Sequence, residues 1–183
     1  MTVAAGRDLR RDGDTLHRVM HRRSFLQVAL SIALAPVAHG ADTRVLTEMR
    51  RYLRAIQFGE TFQGGVRKIA EKPGGSSGFL DRVLSASPEE IEATVAPAFA
   101  SRVTAGQARE IADFFASPLG QKLLVRGRQH IGERDAPVDL SAAEQAQVEK
   151  FGQTPAGRIG INLTADPDVR KDYFELLRRK YGN

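Results

Sequence analysis

Two stretches of this chain copy each other in one ungapped register, 37 positions apart: TAGQAREIADFFASPLGQ at 104–121 and SAAEQAQVEKFGQTPAGR at 141–158. The matching pairs are Thr104/Ser141, Ala105/Ala142, Ile111/Val148, Phe114/Phe151, Ser117/Thr154, Pro118/Pro155 and Gly120/Gly157. Thr104 and Ser141 carry the hydroxyl that accepts from the orphan N–H groups of a first helical turn. Gln107 and Glu144 stand three residues on, at the reciprocal capping-box position. Ile111 or Val148, three residues before a phenylalanine, marks the buried face of a helix of about three turns. Ser117 and Thr154 then end that helix and cap the next one. Its first residue is Pro118 or Pro155, a position where the backbone N–H is unbonded anyway. Gly120 and Gly157 fall in the first turn of the second helix, where a missing side chain lets another helix approach. Each unit reads as helix, corner, helix, and two such units are expected to stack. Two units are fewer than a solenoid needs, so the expected architecture is a compact bundle whose core the N-terminal helices complete.

The rest of the chain after residue 41 agrees with an all-α class, because no alternation of β-branched residues is sustained. Leu46, Met49, Leu53 and Ile56 recur at spacings of three and four, and Phe58, Phe62, Val66 and Ile69 continue the stripe. Gly64 and Gly65 fall inside that run and predict a break or a tight crossing. KPGGSSG at 72–78 has the composition of a flexible loop, and no nucleophile frame surrounds Ser76 or Ser77. Ser87, Pro88 and Glu90 predict a helix start with a capping box, and Pro97 predicts a kink or stop near Ala96. Leu119, Leu123 and Leu124 are expected to face inward after the first corner. A last helix, capped by Asp166 and begun by Pro167, should pack back through Val169, Tyr173, Leu176, Leu177 and Tyr181. The fold class expected is an all-α compact helical bundle containing two helix–corner–helix units, at about 104–133 and 141–165.

Ahead of this domain, HRRSFLQVALSIALAPVAHGAD at 21–42 has the three parts of an export signal. A basic pair comes first and an apolar run from Phe25 to Ala38 follows. Ala38 and Gly40 then stand as the small residues before a cut at Ala41. The run is shorter than the roughly 20 residues a membrane-spanning helix needs, which favours cleavage over an uncleaved anchor. The pattern Arg22, Arg23, Ser24, Phe25, Leu26 resembles the bacterial twin-arginine signal, with Gln27 and His21 departing from its usual flanks. That resemblance implies passage of a folded chain into the periplasm and favours the twin-arginine route over the general secretory one. Met20 stands where such a signal would begin. Residues 1–19 have no periodic apolar face, so they are read as a start-site extension, 20–40 as the signal and 41–183 as one helical domain.

Composition narrows the chemistry. The 183 residues include no cysteine, which removes disulfides, thiolate metal sites and a cysteine nucleophile. Three of the four histidines precede residue 41, leaving His130 alone beyond them, so a site built on several imidazoles is not expected. The net charge of +5 divides into +3 over residues 1–40 and +2 over the remainder, with both signs interspersed. Nucleic-acid binding would need a concentrated basic patch. The only cluster, Arg178, Arg179 and Lys180, sits in a final helical turn, where cations oppose the negative end of the dipole.

Phe114, Phe115, Ser117, Pro118, Gly120, Lys122 and Leu123 carry a further resemblance. An aromatic pair followed by Ser-Pro-x-Gly-x-Lys-Leu is similar to the signature of the bacterial family catalogued as domain of unknown function 2059. The resemblance extends over about Val95 to Leu124. It implies a small exported α-helical protein and brings no reaction, cofactor or catalytic residue with it. The second copy departs at Gly152 and Ile159, where the first has Phe115 and Lys122.

Three candidate sites remain. His130 with Glu133 or Asp135 could serve as a base and its orienter in a small hydrolase; a surface histidine beside solvated acids is the simpler reading. Asp166 and Asp168 lack the remaining ligands of a calcium loop, so Asp166 is read as a cap. Phe114 and Phe115 are read as core residues, and either one, if exposed, becomes the candidate partner surface. The function expected is a non-enzymatic periplasmic interaction module for a protein, peptide or envelope component, without cofactor or metal. The alternatives are a hydrolase using His130 and a carrier of a lipid or small molecule.

Overall fold

A computed structural model describes residues 42–75, 77–130 and 139–182, with the backbone alone at 128–130. Among these residues the chain forms helices and no strand. They are α1 (Thr43–Ala55), α2 (Phe58–Ala70), α3 (Gly78–Ser85), α4 (Pro88–Ala100), α5 (Ala105–Ala116), α6 (Pro118–His130), α7 (Ala142–Gln153), α8 (Pro155–Asn162) and α9 (Pro167–Tyr181). All lie within one compact unit, 38–183. No helix among the described residues is long and apolar enough to cross a membrane. The signal-like segment, its arginine pair, the cut after Gly40 and the start at Met20 lie outside the described residues.

The all-α class read from the sequence is what the chain adopts. Helix α4 is the axis of the core: Ile91, Val95, Ala96 and Phe99 on it are fully buried. It packs against α1, α2 and α9, and α1 packs against α5. Apolar positions three and four apart supply the α1 face, where Met49, Tyr52 and Leu53 are buried. The α9 face buries Val169, Tyr173, Leu177 and Tyr181, with Leu176 only half-buried. Aromatic rings knit these faces together. Phe58 meets Phe99 and Tyr173 edge-on at 5.6 Å each, and Phe99 stacks on Tyr173 at 6.1 Å. The last-turn cluster of α9 includes Lys180, which reaches Glu90 Oε1 at 2.9 Å and Thr94 Oγ1 at 3.2 Å and so pins α9 to α4.

Several local expectations need correction. Gly64 and Gly65 neither break α2 nor sit at a crossing: the helix runs straight through them, and a Cβ at either would meet nothing within 4 Å. The break lies earlier, at Ile56 and Gln57, where Gln57 adopts a left-handed conformation (φ 54°) between α1 and α2. The apolar spacing continues from Leu46 to Val66 across the break and so concealed it, while Ile69, the last position of the expected stripe, is exposed. Pro97 does not stop α4, which continues to Ala100; the missing N–H forfeits a single intrahelical bond. Ser87 accepts from the Glu90 N–H at 3.1 Å as expected. The Glu90 carboxylate also takes the Lys180 ammonium at 2.9 Å. Within 72–78, Ser77 is the N-cap of α3 and accepts from the Leu80 N–H at 3.3 Å.

Candidate functional site

The two corners are built alike, atom for atom. Thr104 accepts from the Gln107 N–H at 3.3 Å while the Thr104 N–H donates to Gln107 Oε1 at 2.9 Å. Ser141 and Glu144 make the same reciprocal pair at 3.2 and 2.7 Å. At the first corner Ser117 Oγ donates to the Phe114 carbonyl at 2.6 Å and accepts from the Gly120 N–H at 3.1 Å. At the second, Thr154 Oγ1 donates to the Phe151 carbonyl and accepts from the Gly157 N–H, both at 2.9 Å. Each hydroxyl closes one helix and opens the next, so its proton and an oxygen lone pair are both committed. This is the bonding of a cap, not of a nucleophile.

The glycines are dictated by the same geometry. A Cβ on Gly120 would lie 2.1 Å from the Phe114 carbonyl oxygen and 2.7 Å from Phe115 Cα. On Gly157 it would meet the Phe151 carbonyl just as closely. The approaching helix is therefore the one that ends at the corner, folded back against its successor.

Between the corners the described residues leave a groove of about 700 Å³. Much of its lining consists of equivalent positions of the two copies: Phe114 and Phe151 on the floor, Ser117 and Thr154 beside them. Glu110 with Gln147 and Asp113 with Lys150 complete the equivalence on the walls. Phe114 stacks on Phe151 with ring centroids 3.7 Å apart and planes within 4°. Pro118, itself exposed, and Leu119 add to the apolar lining. Phe115 turns the other way: it is buried and meets Tyr52 edge-on at 5.2 Å. Of the two phenylalanines singled out in the sequence, then, Phe115 belongs to the core and Phe114 is half-buried and lines the groove. Leu119, Leu123 and Leu124 are half-buried rather than fully inward, as is Val148.

Two side chains of α6 tie the first corner to its surroundings. Lys122 Nζ lies 2.9 Å from both carboxylate oxygens of Glu144. With the Ser141 N–H on the same carboxylate, this holds the Glu144 carboxyl far below its ordinary range, at about 2. Gln121 donates to the Ala55 and Phe115 carbonyls at 2.9 and 2.6 Å, closing the ends of α1 and α5 together. On the second copy, α8 seats against α5 at Gly160, where a Cβ would be 3.0 Å from Ile111 Cγ1. The Tyr52 hydroxyl donates to the Gly160 carbonyl at 3.4 Å. On the groove rim, Asp113 pairs with Arg51 at 2.7 Å and with Arg109 at 3.8 Å.

The remaining sequence candidates are quickly placed. Asp166 caps α9, accepting from the Asp168 and Val169 N–H groups at 2.8 and 3.1 Å. His130 ends α6; its side chain, Glu133 and Asp135 lie outside the described residues. Among the described residues no cluster of three or more histidine, aspartate and glutamate side chains could hold a metal. The groove itself was missed from sequence. Only the pairing of Phe114 with Phe151 in the repeat could have pointed to it, since equivalent aromatic residues on facing helices can meet.

The family described as "uncharacterized protein conserved in bacteria (DUF2059)" matches residues 89–130, from the second residue of α4 to the end of α6. The match contains the first corner whole and stops before the second. No curated protein and no solved structure matches the chain significantly.

Proposed function

We propose that the chain is an exported periplasmic helical domain that acts as a non-enzymatic interaction module, docking a protein, peptide or envelope component in the groove between its two corners. The observation that carries this reading is the groove's make-up. Its apolar lining comes from Phe114, Phe151, Pro118 and Leu119, and its hydroxyls are consumed by capping. Such a surface offers apolar area and shape, with the charges of Glu110, Asp113 and Lys150 in its lining. The signal-like segment around Arg22, Arg23, Phe25 and Leu26 supports export, and the twin-arginine resemblance supports transport of an already folded chain.

A photo-crosslinking residue placed at Leu119 tests the docking in cells, with Ile69, half-exposed on α2, as the control position. A partner captured from 119 and not from 69 is the expected result; capture equal at both positions, or at neither, removes the groove as the site. Replacing Arg22 and Arg23 together by lysine tests the route. The precursor should accumulate in the cytoplasm, whereas unchanged export would indicate the general secretory route.

A further inference from the structure

Glu92 is the one buried charged side chain among the described residues, 3% exposed in the second turn of α4. Its Oε2 has no hydrogen-bond partner. The nearest cation, Arg54 Nε on α1, is 3.9 Å away and belongs to a side chain 71% exposed. What Glu92 does have is the start of α2. The left-handed Gln57 makes no side-chain cap bond to α2, and the Gly59 N–H in its first turn faces the Glu92 carboxyl. Gly59 is also where α2 touches α4 backbone to backbone: a Cβ there would lie 2.5 Å from the Pro88 carbonyl oxygen. The first turn of α2 is thus clasped between Pro88 and Glu92, one helical turn apart on α4.

We propose that Glu92 is a protonation-dependent fastening between α4 and the first turn of α2. The charged groups around it are Arg54 from α1, Glu60 from α2 and Glu89 from α4. On the α9 side, Lys180 and Asp172 are committed to Glu90 and Arg102. Among the described residues, the Arg54 cation at 3.9 Å faces the like charges of Glu60 and Glu89, beside a carboxyl only 3% exposed. Burial first, then the Glu60 charge, push the Glu92 carboxyl above its ordinary range, against weaker opposing pulls from the Gly59 N–H and Arg54. A carboxyl whose folded-state pKa lies above its unfolded value stabilises the fold most when protonated, and that contribution is lost as pH rises through the folded-state value. Helix α2 is therefore held most firmly in mild acid and opens more readily towards neutral pH. Glu90 and Glu144, whose carboxyls are shifted the other way, keep their contribution across this range and lose it only below the ordinary carboxylate range.

Amide hydrogen exchange of the full chain between about pH 5 and pH 8, corrected for intrinsic rates, reads this directly. Each unit of upward shift corresponds to about a tenfold change in the opening constant of α2. In the wild type, protection of α2 should fall across this range while that of α5 stays level. In Glu92→Gln, which keeps an acceptor for the Gly59 N–H and removes the charge, α2 should stay level too. Equal pH dependence of α2 and α5 in the wild type, or of α2 in wild type and variant, overturns the proposal. Carbon-detected titration of the wild-type Glu92 carboxyl provides a second measurement that needs no variant. A midpoint above the other glutamates supports the fastening, and one at or below theirs overturns it.

Discussion

The sharpest consequence of the corner geometry is that one chemical change, glycine to alanine, should have opposite signs at two places in this chain. At Gly120 the added Cβ would sit 2.1 Å from the Phe114 carbonyl oxygen, whereas non-bonded carbon contacts are comfortable near ~3.5 Å. Both obstructing groups, that oxygen and Phe115 Cα, are backbone, so no rotamer change relieves the overlap and the angle between α5 and α6 must open. Overpacking of this kind costs about 3 kcal/mol at its upper end. Opening the corner also strains the bonds from the Gly120 N–H to Ser117 Oγ and from the Gln121 N–H to the Ser117 carbonyl, together about 1 kcal/mol. Against this, alanine gains up to about 1 kcal/mol of helix propensity over glycine. The net for Gly120→Ala is a loss of about 3 kcal/mol, or about 10 °C in a domain of this size. At Gly64 and Gly65 nothing lies within 4 Å, only the propensity gain survives, and each alanine should stabilise by about 0.5–1 kcal/mol. Thermal melts followed by far-ultraviolet circular dichroism measure all three variants. A Gly120→Ala melt within about 2 °C of wild type, or a drop of similar size at Gly64, would refute the reasoning.

Other consequences follow from single interactions. Ser117→Ala and Thr154→Ala should each cost about 1 kcal/mol, the usual size of a lost N-cap; a melt unchanged by both would show that the hydroxyls do not close the corners. Phe151→Ala should cost about 3 kcal/mol. In a double-mutant cycle with Phe114→Ala, the pair should show about 0.5–1.5 kcal/mol of coupling from the ring stack; additive losses would mean the 3.7 Å stack contributes nothing of its own. Glu144 is held at about 2 in the folded chain, so its contribution is present above the ordinary carboxylate range and lost as pH falls through about 2. Lys122→Met should move the Glu144 midpoint upward in a carbon-detected titration, and an unmoved midpoint would mean the Ser141 bonds alone set it.

Much of the local structure was legible because its causes are local. Caps such as Thr104, Ser117 and Asp166 act within three residues, so a hydroxyl or carboxylate ahead of a proline or an apolar period is enough to place a helix start. The misreadings share one cause. Gly64 and Gly65 look like a break because glycine is costly in a helix, but an exposed helix tolerates that cost when its other face is anchored by Phe62 and Val66. The true break at Gln57 has no sequence signal, since glutamine rarely adopts a positive φ and does so here under tertiary constraint. The candidate site was half legible. Phe114 was singled out, yet its separation from Phe115, one ring to the groove and one to the core, depends on which helices face α5.

By itself, the sequence determined where α4 to α9 start, that strands are absent among the described residues, and that both corners use one hydroxyl–proline–glycine design. These features depend on hydrogen bonds and steric limits spanning a few residues. Tertiary structure alone decided what those corners enclose. The stacking of Phe114 on Phe151, the Lys122–Glu144 ion pair and the burial of Glu92 against the start of α2 all join residues more than 20 positions apart. Contacts of that kind arise when helices pack, and no residue's own neighbours along the chain encode them.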